Sequence, residues 1–166
     1  MLQFIQRYRF AGLVLDANLL LLLVVGRLDR TLIGQAKRVR QFTGEDFDLL
    51  INILSRFQRV LVTPHILTEV SNLLTSEQAH IREGARTILC GQMPLLDERF
   101  TSAQSLCQLP AFSRLGITDV AIETEGRNYC LVLTTDLDLY LHLESLGVPA
   151  LNFNHVRTGA WQLPGA

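Results

Sequence analysis

Asp16, Glu69, Asp119 and Asp136 are the residues of this chain placed to do chemistry together. Asp16 ends the apolar run Leu13-Val-Leu, and Asp136 follows Leu131-Val-Leu-Thr-Thr. Such runs read as short buried strands, each handing one acid to its carboxyl end. Glu69 lies in Thr63-Pro-His-Ile-Leu-Thr-Glu, where Thr63 and Pro64 mark a helix start. It falls at the border of the apolar face made by Ile66, Leu67, Val70, Leu73 and Leu74. Asp119 follows Gly116-Ile-Thr and is expected in the first turn of another helix, where the dipole favours an acid. A surface or capping role accounts for any one of these acids taken alone. Taken together they are expected at one rim, because parallel sheets bind ligands outside the carboxyl ends of their strands. Four carboxylates without basic partners repel one another and call for cations. Hard divalent ions, Mg²⁺ or Mn²⁺, suit such oxygen donors, and the chemistry implied is in-line hydrolysis of a phosphodiester.

The elements that must position these acids alternate between strand and helix, which gives an α/β class with a mostly parallel sheet. Strands are expected at Leu13 to Leu15, Val60 to Val62, Tyr129 to Leu133 and Val148 to Phe153, with a weaker one at Met93 to Leu96. Pro149 suggests a sheet edge for the last strand. Asn18 is expected to cap a leucine-rich helix through Val25, apolar almost all round and so buried, with Gly26 ending or bending it. Thr43-Gly-Glu-Asp46 opens a helix carrying Phe47, Leu50, Ile51, Leu54 and Phe57 at helical spacing. Further helices are expected from Gln78 to Leu89 with Gly91 as stop, and from Ser102 to Leu109 with Pro110 as stop. Thr118 is the expected cap of the Asp119 helix, which Gly126 stops, and Gly147 ends a helix begun at Leu137. Met1 to Phe10 gives no clear element, and Asn154 to Ala166 reads as a tail anchored by Trp161.

The chain has 166 residues, of which 48% are hydrophobic and 19% charged, a globular balance rather than a disordered one. One domain over 1–166 is expected, with its core at about 11–155 and a tail from 156. The net charge of -1 gives no general attraction to nucleic acid, but a total does not describe a local surface. The local basic stretch is Arg27 to Arg40, with Arg27, Arg30, Lys37, Arg38 and Arg40 against Asp29. It reads either as a solvated helix face or as a flank that contacts phosphates. The three cysteines, Cys90, Cys107 and Cys130, are widely spaced. They suggest neither a disulfide scaffold nor a zinc site, and fit a reducing cytoplasm. The apolar run Leu13 to Val25 is too short to span a membrane and contains Asp16 and Asn18.

On these motifs the chain resembles the PIN-domain family of metal-dependent ribonucleases, which includes VapC-type toxins. The resemblance rests on Leu13-Val-Leu-Asp16-Ala-Asn18, Thr63-Pro-His-Ile-Leu-Thr-Glu69-Val, Leu115-Gly-Ile-Thr-Asp119-Val-Ala-Ile and Leu131-Val-Leu-Thr-Thr-Asp136. It covers most of Leu13 to Asn154, with the four motifs in the family's order. It implies a three-layer α/β/α fold with strand order 3-2-1-4-5. It also implies an RNA substrate and metal held by Asp16, Glu69, Asp119 and Asp136. Asp138 would replace or assist Asp136, while Asn18, Thr134 and Thr135 would support the acids or touch phosphate. Arg38 and Arg40 are the candidate RNA contacts, and a protein antitoxin and a homodimer are the partners implied. The Arg27 to Phe57 segment is longer than in compact toxins, and an extension precedes the first strand, so another branch of the family is also open. A PIN-like scaffold that binds RNA or protein without cutting is the alternative reading. A haloacid dehalogenase-like phosphatase fits less well, because Asp16-Ala-Asn18 lacks the second acid. No Gly-rich dinucleotide or nucleotide fingerprint is present.

Overall fold

A computed structural model describes residues 2–159. The chain opens with a short helix, α1 (Leu2–Tyr8), which puts Ile5 into the core. β1 (Leu13–Leu15) leads into α2 (Ala17–Leu28), and α3 (Gly44–Leu54) precedes β2 (Val60–Val62). Two longer helices follow, α4 (Pro64–Thr75) and α5 (Ala79–Gln92), and then a two-residue strand, β3 (Asp97–Glu98). Two single-turn helices, α6 (Ala103–Leu106) and α7 (Phe112–Leu115), introduce α8 (Ile117–Arg127). β4 (Leu131–Thr134), α9 (Leu137–Ser145), β5 (Ala150–Asn152) and α10 (Phe153–Arg157) complete the described chain.

All pairings are parallel, and the sheet order is β3-β2-β1-β4-β5. This is a three-layer α/β/α arrangement with the expected strand order. β1 is central because it can be: Leu13, Val14 and Leu15 are fully buried, with no side chain that needs water. Its register sets Leu13 opposite Leu131 and Leu15 opposite Leu133. The chain leaves β1 toward β2 on one side and returns through β4 on the other, so the β1–β4 boundary is the sheet's topological switch point.

α2 is enclosed because it has no polar face, and Leu19 to Gly26 are all buried. Asp16, not Asn18, caps this helix: its side chain accepts the Leu19 amide at 2.8 Å. Gly26 neither ends nor bends it. The Phe47 ring lies where a Cβ would stand, at 2.3 Å, so Gly26 is a packing residue. Gly126 does the same for Val148 and Val132, and α8 continues to Arg127. Gly116, in the left-handed region at φ +83, takes the cap position of α8 in place of Thr118.

Other boundaries also moved. Met93–Leu95 is a 3-10 turn and the strand begins two residues later at Asp97. The Ser102 helix is one turn long. Tyr129 has φ +66 and stands outside β4. Val148 and Pro149 precede β5, which is an edge strand. The segment read as a tail begins with α10, which buries Phe153 and Val156. Trp161 lies outside the described residues. No helix among the described residues is long and apolar enough to cross a membrane.

Candidate active site

The acids at the carboxyl ends of the two central strands are joined by one hydroxyl. Asp16 follows β1 and is 5% exposed. Its Oδ1 accepts the Leu19 amide, and its Oδ2 accepts the Thr134 hydroxyl at 2.8 Å, the Thr135 amide at 2.6 Å and the Thr135 hydroxyl at 3.2 Å. The Thr134 hydroxyl in turn accepts the Asp136 amide at 3.0 Å. It therefore donates its single proton to Asp16, which must be an acceptor there. Burial raises the Asp16 pKa, and its hydrogen bonds to Leu19, Thr135 and Thr134 oppose that rise.

Asp136 caps α9 through Oδ1, which accepts the Leu139 amide at 2.9 Å. Glu69 comes from α4, oriented by the Thr63 cap and Pro64, and is half-buried as its border position requires. Asp119 comes from the first turn of α8. The start of that helix packs with α6 and α7 in a small apolar cluster of its own, built on Leu106, Ala111, Val120 and Ala121.

All four acids line one cavity of about 220 Å³, together with Asn18 and Thr134. The walls hold no Lys, Arg or His. None of the four acids is in an ion pair among the described residues. The shared charge is felt at Asp119. Burial, then the carboxylates of Asp136, Glu69 and Asp16, push its pKa up to about 7. Among the described residues no group of three or more His, Cys, Asp or Glu side chains is arranged to hold a metal ion as it stands. The donor chemistry nevertheless fits a hard divalent cation: oxygen donors only, mutually repelling, with no cation of the protein's own.

The other expected site residues divide. Asn18 donates to the Thr135 hydroxyl at 3.4 Å, and through it leans on Asp16. Thr135 is outside the cavity wall and acts by holding Asp16. Asp138 is exposed on α9 and does not reach the cavity. Its place one residue past Leu137 turns it away from the rim. Arg38 and Arg40 line a neighbouring hollow with Lys37 and Gln41, and Asn18 belongs to both walls.

This basic segment is not a helix face. Past the turn Arg30–Leu32 it is a run of turns up to Phe42. Ile33, Ala36, Val39 and Phe42 are buried at every third position, which leaves Lys37, Arg38 and Arg40 outside. Glu77 fixes the loop from within. It is 4% exposed and accepts the Lys37 amide at 3.0 Å and the Arg38 amide at 3.4 Å. Sequence reading missed Glu77, because an acid between two helices looks like any loop acid. Asn154 was missed too. It donates to the Thr135 carbonyl at 3.1 Å and accepts from Arg157, which pairs with Asp46. Glu77→Ala should cost about 2 kcal/mol, because it strands two inward-facing amides. Urea denaturation would show the loss, and hydrogen exchange at Lys37 and Arg38 should accelerate with it.

No protein-family model and no curated protein matches this chain.

Proposed function

We propose that the protein is a metal-dependent endoribonuclease of the PIN-domain kind, hydrolysing RNA phosphodiester bonds at the four-carboxylate cavity. One observation carries the reading: four acids from β1, α4, α8 and β4 surround one cavity with no basic side chain in its wall among the described residues, and burial together with the other three carboxylates drives Asp119 to about 7. A purely structural cluster would be destabilising and without compensation. Asp16, Glu69, Asp119 and Asp136 would hold Mg²⁺ or Mn²⁺, and bound metal would supply Lewis-acid chemistry at phosphate oxygens.

The chain's own groups set the rest. Asp16 Oδ2 takes three donors and Oδ1 only the Leu19 amide, so Oδ1 keeps the larger capacity to accept a further partner. Asp136 caps α9 through Oδ1, and its Oδ2 has no hydrogen bond among the described residues. Among the described residues Glu69 and Asp119 have no hydrogen bond to either carboxylate oxygen, so both are available. Asp119 holds a proton near neutrality and gives it up when positive charge enters. Leu115, Ile117 and Ile122 wall the cavity and thin the water around the acids. Arg38 and Arg40 hold flanking phosphates in the adjoining hollow. A protein antitoxin, a homodimer and a cytoplasmic setting belong to the same proposal.

The test is cleavage of a panel of single-stranded and structured RNAs by wild type and Asp119→Asn, with Mn²⁺, Mg²⁺ or EDTA. Cutting that needs metal and disappears in the variant supports the reading. No cutting, with no metal bound by calorimetry, moves the protein to the scaffold class. Arg38→Ala should weaken RNA binding and flatten the log–log salt dependence by about 0.7 for the one lost phosphate contact.

A further inference from the structure

The acid cavity has a second neighbour besides the hollow of the basic loop. Glu69 and Thr118 belong to its wall and to that of a hollow lined further by Pro64, His65, Thr68 and Asn72. That hollow measures about 430 Å³, within the roughly 300–1,000 Å³ typical of small-ligand sites. Three depressions thus lie in series. Asn18 joins the basic one to the acid cavity, and Glu69 and Thr118 join the cavity to the third.

The two flanks differ in chemistry. One offers Lys37, Arg38 and Arg40 and no carboxylate, a surface for phosphates. The other has no Lys or Arg. Beyond the shared Glu69 it offers an imidazole, an amide and two threonine hydroxyls, a surface for a neutral, flat, hydrogen-bonding group. His65 adds an independent observation. Its Nδ1 is buried with no hydrogen-bond partner. An orphaned buried N–H is the costlier state, so Nδ1 carries the lone pair and Nε2 the proton. Nε2 is neither bonded to the protein nor buried, which leaves one ring donor for a visitor.

We propose that this hollow seats an unpaired nucleobase of a single-stranded RNA. Its neighbouring phosphate lies over the acids, and the strand continues onto the Lys37–Arg40 loop. The inference rests on the nuclease reading above and deepens it. A duplex is disfavoured because its bases are already stacked and paired, whereas a single strand can turn one base into the hollow, where Asn72 and the His65 donor meet its edge. His65, Asn72 and Thr68 are then specificity residues; the acids remain the catalytic ones.

The probe is a short fluorescein-labelled single-stranded RNA, with derivatives carrying one abasic ribonucleotide at each successive position. Binding is read by anisotropy in EDTA, and cleavage with Mn²⁺. One position, beside the cut bond, should lose roughly tenfold in affinity when its base is removed. His65→Ala and Asn72→Ala should weaken the intact strand by about the same factor and leave the strand abasic at that position unchanged. The matching duplex should be cut at least about tenfold more slowly. A flat abasic scan on the wild-type protein overturns the inference without relying on any variant's folding, and so does a duplex cut as fast as the single strand. If metal-dependent cutting persists in either case, the nuclease reading stands and only the base site is lost. If the wild type neither binds nor cuts RNA, the reading itself fails and takes the inference with it.

Discussion

Asp16→Ala is expected to lower the melting temperature by roughly 10 °C and to abolish metal-dependent cleavage. The carboxylate is buried and takes four hydrogen bonds, two from amides that cannot turn away, those of Leu19 and Thr135. Removing it uncaps α2 and strands both amides, a loss of about 3–4 kcal/mol. Two neighbours lose their anchor as well. The Thr134 hydroxyl no longer has its acceptor, and Asn18 leans on a Thr135 hydroxyl that is no longer held. Asp16→Asn separates charge from geometry. It can still cap Leu19, but its amide group would face the donors of Thr135, so about half of the loss should remain. Thermal and urea denaturation of the three proteins checks this order. A variant Asp16→Ala as stable as the wild type would mean that the β1–β4 rim is held by the strands alone.

The second large effect is in the pH dependence of the metal-free protein, to which Asp119 contributes directly. Its carboxyl titrates at about 7 in the fold against 3.8 for the free side chain. Below about 4 both folded and unfolded chains carry the proton, and Asp119 costs nothing. Between there and about 7 the unfolded chain releases the proton while the folded one keeps it, so stability falls as pH rises. Above 7 the loss is complete. Allowing for the group's partial exposure to solvent, the loss is on the order of 1–2 kcal/mol. Asp119→Asn should therefore be more stable than wild type at pH 8 in EDTA and no more stable at pH 4, although it no longer cuts RNA. Mg²⁺ or Mn²⁺ should close the gap at pH 8 in the wild type only, and at about pH 6, where Asp119 still holds its proton, metal binding should release that proton, seen by calorimetry in buffers of different ionisation enthalpy. Equal stability of the two proteins at pH 8 without metal would show that the acids do not share a field.

The legible parts of the molecule were those where a local pattern and a long-range role coincide. An apolar run ending in Asp states both a buried strand and the end at which the acid emerges, so β1 and β4 could be read together with Asp16 and Asp136. Glu69 was legible from helical periodicity. The rest depends on partners far away in the chain. Whether Asp16 or Asn18 caps α2 is settled by Thr134 and Thr135, more than a hundred residues on. Gly26 and Gly126 look like stop signals until Phe47 and Val148 are seen to fill the space beside them. The Arg27 to Arg40 stretch carried its true period in Ile33, Ala36, Val39 and Phe42, but a three-residue spacing of buried groups reads too easily as helical. Glu77 and Asn154 act on backbone groups, which no side-chain motif announces.

The four acids are not held in the same way. Asp16 and Asp136 are tied to backbone amides and to a shared threonine, on two strands whose register is fixed. Glu69 and Asp119 ride on α4 and α8, two helices in contact with each other, and among the described residues their carboxylates have no hydrogen-bond partner. One wall of the cavity is therefore a fixed jaw, and the other is a sprung jaw set by side-chain contacts alone. Substitutions on the strand side decide whether the cavity exists. Apolar substitutions between α4 and α8, or in the small cluster under α7, should tune its width, and with it, on the metal-site proposal, the balance between the smaller Mg²⁺ and the larger Mn²⁺.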